Sequence, residues 1–140
     1  MRELSFSDGL EEYRLNDRVT VRFNPTDLGF LEKLSSAFEK LDAIQEEVRA
    51  PREKITDERE VFPLARNLDA KMRAILNELF DAEICEPLFG SLNLFASSAG
   101  LPVWANLMLA ISDEVQNSMQ DELQQREKRI AKYVKKYQKT

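Results

Sequence analysis

The sequence predicts a mainly α-helical single domain: an N-terminal β-hairpin or meander packed on a three- to four-helix body, with a long C-terminal helix. Three observations lead there. Four glycines and five prolines in 140 residues are too few turn formers for a sandwich or barrel of many short strands. The first 23 residues alternate apolar and polar side chains at period two, whereas most later segments repeat apolar residues at three- and four-residue steps. With 43% hydrophobic residues the chain can also fill one core, and at this length it has no room for two comfortable ones.

Taken in order, Leu4/Phe6, Tyr13/Leu15 and Val19/Val21/Phe23 read as short strands. Asp8-Gly9 and Asn16-Asp17 between them are residue types that tolerate the positive φ of tight turns. A ribbon of two or three strands is unstable alone, so its apolar face must lie on the helices that follow. Asn24-Pro25-Thr26-Asp27 reads as a helix start, with Asn24 as cap and Pro25 in the first turn. Phe30, Leu31, Leu34, Ala37, Phe38, Leu41, Ile44 and Val48 then define one face of a helix expected to stop before Pro51.

Asp57 and Glu60 have capping-box spacing, and Val61, Leu64, Ala65, Leu68, Met72, Ile75, Leu76, Leu79 and Phe80 carry a second helix. Pro63 either bends this helix or begins it, with Val61-Phe62 as an entry segment. The stretch 81–101 holds Pro87, Gly90, Gly100 and a serine pair, which suits short helical turns at Ile84–Phe89 and Leu92–Ala96. Pro102 opens the last helix, with Trp104, Leu107, Met108, Ile111, Val115, Met119 and Leu123 on one side and no breaker before the C-terminus. Continuous to Gln138, it would be roughly 55 Å long, against a body roughly 35–40 Å across. Its end should protrude. The expected organisation is therefore a ribbon at 1–23, a helical core at 24–123 and a helical tail at 124–140.

The net charge of −5 divides unevenly: seven basic residues and one acidic residue in 124–140 give +6, leaving −11 on the rest. Absent residues exclude several chemistries. With no histidine, Ser-His-Asp and Cys-His catalysis lack their base, and the usual zinc and Glu-x-x-His di-iron sites lack their nitrogen ligands. No intrachain disulfide is possible with Cys85 alone, and the neighbouring Glu83 and Glu86 make that thiol a poor nucleophile. Helical nucleotide pyrophosphatases bind magnesium through a Glu-x-x-Glu helix followed by a Glu-x-x-Asp helix. Here Glu39-x-x-Asp42 and Glu78-x-x-Asp81 precede the only Glu-x-x-Glu, Glu83-x-x-Glu86, and Asp113-Glu114 lacks a completing acid. The glycines stand alone, so there is no phosphate-cradling loop. No catalytic residue, metal or cofactor is expected.

No apolar run approaches the roughly 20 residues of a membrane span, and Met1–Phe6 shows none of the parts of a secretory signal. A reducing cytoplasm is the expected compartment. The remaining candidate site is the tail. Met119, Leu123, Ile130, Tyr133, Val134 and Tyr137 form a stripe too narrow for a monomer core and suited to a partner helix, rimmed by Lys132, Lys135 and Lys136. The alternatives are a solvated helix end, whose cations complement the helix dipole, self-association, and nucleic-acid binding through the lysines and tyrosines. The −11 body opposes the last of these.

Several segments also carry a likeness. Leu15–Asp27, Leu68-Asp69-Ala70-Lys71-Met72-Arg73, Cys85-Glu86-Pro87-Leu88-Phe89-Gly90 and Gly100–Leu107, with the Lys-Tyr-rich end, resemble small proteins encoded in prophages of gut Firmicutes. Those relatives look like tail-module proteins, similar in size and helical character to phage tail assembly chaperones. The resemblance implies a non-enzymatic role in the bacterial host cell. Such a protein would shield a long, partly hydrophobic tape-measure protein, or contact another tail protein, until tube subunits polymerise.

Overall fold

The computed structural model describes the backbone of residues 1–54 and 58–138 and the side chains of 1–49 and 59–136. Two strands, β1 (Glu11–Leu15) and β2 (Val19–Phe23), form an antiparallel hairpin in which Leu15 faces Val19 and Tyr13 faces Val21. Asn16 and Asp17 take φ of 49° and 58°, as their residue types allow, and Arg18 N–H closes the turn on the Leu15 carbonyl at 2.9 Å. The expected third strand does not form: Leu4 and Phe6 are 90% and 84% exposed. Gly9, at φ +75°, turns the chain, and the Asp8 carbonyl accepts from Asn24 Nδ2 instead of from a strand.

The helix α1 spans Leu28–Lys54 and starts later than the Asn24-Pro25 reading. Asn24 Oδ1 is occupied by Thr26 N–H at 2.8 Å and the Thr26 hydroxyl, so it closes a turn and caps nothing. Asp27 is the cap, accepting from Gly29 N–H at 3.0 Å. The helix also continues through Pro51, contrary to the expected stop. Proline removes one N–H without forbidding helix beyond it, and no glycine or asparagine stands nearby to divert the chain.

The second helix, α2, spans Glu58–Phe80, so Pro63 lies inside it and does not begin it. Asp57 of the expected capping box falls outside the described residues. After α3 (Cys85–Phe89), the second expected helical turn at Leu92–Ala96 is replaced by a turn. Asn93 Oδ1 accepts from Phe95 N–H and Asn93 O from Ala96 N–H, both at 2.9 Å. A minimal ribbon follows, β3 (Ser97–Ser98) against β4 (Leu101–Pro102), placing Pro102 just before the last helix, α4 (Val103–Gln138). Val103 N–H donates to Ala96 O at 2.7 Å, which ties the start of α4 to this loop.

One continuous core joins these elements. Leu34, Leu41 and Val48 of α1 meet Leu68, Met72 and Leu76 of α2, with Trp104, Met108, Ile111 and Val115 of α4 completing it. The hairpin is attached by aromatic stacking. Phe23 lies 4.5 Å from both Tyr13 and Phe30 and 6.0 Å from Phe80, so β1, β2, α1 and α2 meet on one side chain. The loop after α3 is held by charge: Asp69 Oδ2 accepts from Arg73 Nε at 3.0 Å, and Arg73 Nη2 donates to the Gly90 and Leu92 carbonyls.

Candidate partner-binding surface

The surface is one helix seen along its length. The α4 stripe of Trp104, Met108, Ile111 and Val115 is buried, whereas every described side chain from Met119 to Lys136 is exposed. The change comes where the body ends. Tyr13 of β1 donates its hydroxyl to Glu114 Oε1 at 3.1 Å, and Ser118 Oγ donates to the same oxygen at 3.0 Å. Burial raises the Tyr13 pKa, and the Glu114 carboxylate beside it raises it further. Beyond this contact the N-terminal segment still flanks one side of α4, sharing a depression with Asp121, Glu122 and Arg129, while the described side chains from Met119 onward stay exposed.

The structure places the predicted residues as follows. Met119, Leu123, Ile130, Tyr133 and Val134 are 36%, 57%, 49%, 56% and 47% exposed. At 100° per residue they fall within one third of the helix circumference, on a face rotated by roughly 65° from the buried stripe of the body. Lys132, Lys135 and Lys136 are exposed on the remaining arc, and Arg129, Lys132, Tyr133 and Lys136 line a shallow groove of about 240 Å³. The backbone at Tyr137 is helical, and its side chain, like Lys139, lies outside the described residues.

Sequence reasoning missed the acidic cleft at the root of this helix. Asp8 and Glu11 from the N-terminal segment and hairpin, with Glu114, Asp121 and Glu122 from α4, line a depression of about 560 Å³. Residues so far apart in the chain give no local signal. Arg129 closes the outer end of this cleft and also lines the basic groove, so the two meet at that residue along α4.

Elsewhere the geometry offers little chemistry. Glu39, Asp42, Glu78, Asp81, Glu83 and Glu86 are exposed, and among the described residues no three metal-ligating side chains cluster. Cys85 is buried, and burial lifts its pKa from an ordinary 9.0 to about 12, with Glu83 and Asp69 adding to the rise and Arg73 opposing it. This thiol should be silent toward thiol reagents in the native protein and react stoichiometrically after denaturation. An acid whose folded pKa is raised keeps its proton longer in the fold. The associated stability is thus intact below pH 9.0 and lost as pH climbs toward about 12, by at most about 1.4 kcal/mol per pH unit. Denaturation midpoints between those pH values should therefore fall less steeply for Cys85→Ala.

Among the described residues no helix is long and apolar enough to cross a membrane. Comparison with protein-family models, curated protein sequences and solved structures finds no match. The class defined by the fold is a mainly α domain with a protruding amphipathic helix.

Proposed function

We propose that this chain is a non-enzymatic protein-binding module whose working surface is the outer half of α4, and that its setting is phage tail assembly. The observation that carries the reading is the exposed stripe of Met119, Leu123, Ile130 and Val134 on a helix that outruns its domain. Apolar side chains repeated on one face of a solvent-exposed helix lose unfavourable hydration when another amphipathic helix covers them. The chain's resemblance to prophage tail-module proteins suggests the client: amphipathic segments of a tape-measure protein, kept in solution by the charged surface around the stripe. Such work would be done in the host cytoplasm.

Co-expression with the tape-measure protein of the same prophage tests this. The full chain should raise the client's soluble fraction several-fold, and a chain ending at Leu123 or carrying Ile130→Asp with Val134→Asp should not. Unchanged rescue by both variants would place the client surface elsewhere. The groove lined by Arg129, Lys132, Tyr133 and Lys136 favours one second reading, nucleic-acid binding. That reading requires DNA affinity falling steeply with salt, and undetectable binding at low salt removes it.

A further inference from the structure

We propose that the outer half of α4 pairs antiparallel with the same segment of a second copy of this chain; this names a partner for the surface above and rests on that reading. Each described side chain from Met119 to Lys136 is exposed, and the depression shared with the N-terminal segment lies on the side of Asp121, Glu122 and Arg129, away from the apolar stripe. Lys128, Lys132 and Lys136 follow one another at four-residue steps, where like charges destabilise a helix. A partner helix covering the apolar face would offset that repulsion by burying the stripe.

The apolar positions have coiled-coil spacing. Placing Leu123, Ile130 and Tyr137 at heptad position a puts Met119, Arg126 and Tyr133 at position d. A parallel pair would set Arg126 against Arg126 of the other copy inside the seam, and Glu122 against Glu127 twice on the flanks. An antiparallel pair avoids both. In the longest register that stays clear of the body, Leu123 meets Tyr133 of the other copy and Ile130 meets Arg126. The next register inward would press Tyr137 onto Ser112, between the buried Ile111 and Val115.

Charge complementarity selects the same arrangement. On one flank Glu122 faces Lys136 of the other copy, and by symmetry Lys136 faces Glu122. Like charges meet only at the two-fold axis, Arg129 with its own copy on one side and Glu127 with its own copy on the other, both in solvent. An overlap of residues 119–136 gives a seam roughly 27 Å long. A single helix pair of that length is small beside the roughly 1,200–2,000 Å² of stable specific interfaces, so the dimer should be reversible.

Sedimentation velocity of the full chain over a concentration series up to the high micromolar range tests the pairing. A monomer–dimer equilibrium is expected. Glu122→Lys alone and Lys136→Glu alone should each weaken it roughly tenfold, and the two together should restore it. Both positions are exposed, so unchanged Trp104 fluorescence confirms the fold. A monomer at every concentration, a dimer tightened by Glu122→Lys, or a dimer indifferent to both changes would each overturn the proposal. Failure here is distinguishable from failure of the client reading. A monomer that still rescues the tape-measure protein removes only the self-pairing, and a charge-swappable dimer that rescues nothing removes only the client.

Discussion

Trp104→Ala is expected to destabilise the fold by about 3–5 kcal/mol, measured by urea denaturation followed by circular dichroism. Trp104 is the second residue of α4 and 3% exposed, so its ring fixes the start of the helix in the core. Its indole N–H donates to Gln45 Oε1 of α1 at 2.8 Å, and its ring meets the edge of Phe38 at a centroid distance of 5.9 Å. Alanine would leave a ring-sized cavity between α1 and α4 and a partly buried Gln45 oxygen without its donor. For domains whose total stability is about 5–15 kcal/mol, such a loss leaves little margin. Trp104→Phe separates the two contributions: it keeps most of the packing and should cost about 1–2 kcal/mol. Equal losses for the two variants would mean that the hydrogen bond, and not the ring volume, anchors α4.

Asp69→Ala should cost about 2–4 kcal/mol, because it breaks a nearly buried ion pair from one side. The Asp69 and Arg73 side chains are only 16% and 17% exposed. One Asp69 oxygen accepts from Leu94 N–H at 2.7 Å and the other from Arg73 Nε at 3.0 Å. Arg73 in turn donates to Gly90 O and Leu92 O, so the pair stitches the loop between α3 and β3 onto α2. Removing the carboxylate orphans a backbone donor and leaves the guanidinium with Glu86, 3.8 Å away, as its nearest carboxylate. Asp69→Asn retains an acceptor for Leu94 and should recover part of the loss. The double variant with Arg73→Ala should be markedly less destabilised than the sum of the singles, since both remove the same network. Strict additivity in denaturation experiments would show that the two residues act separately.

The hairpin was legible because its information is local: alternating side chains and two residues tolerant of positive φ lie within a dozen positions. The long helices were legible for the same reason, since a periodic apolar face is a property of consecutive residues. Leu4 and Phe6 alternate just as well, yet a strand needs a neighbour to pair with, and the Asn24 amide takes the Asp8 carbonyl first. The helix start moved to Asp27 because Asn24 had been used for a turn, a competition between two short-range hydrogen bonds that residue types alone do not decide. The Leu92–Ala96 segment yielded its helix to contacts made at a distance, Leu94 N–H being taken by Asp69 from 25 residues upstream. In the candidate surface, the apolar stripe and the basic arc could be read directly. The acidic cleft could not, since it is assembled from the chain's two ends.

From sequence alone follow the helical class, the hairpin, the lack of an imidazole and the separation of +6 from −11. Where α4 leaves the body was decided only in three dimensions. Val115 and Met119 occupy successive positions of one apolar stripe, but the first is buried and the second exposed. Periodicity marks which face of a helix is apolar; whether anything lies against that face depends on how far the other elements reach. Here, among the described residues, the last hydrogen bonds from the body to α4 are those of the Tyr13–Glu114–Ser118 contact, and the apolar stripe beyond it is exposed.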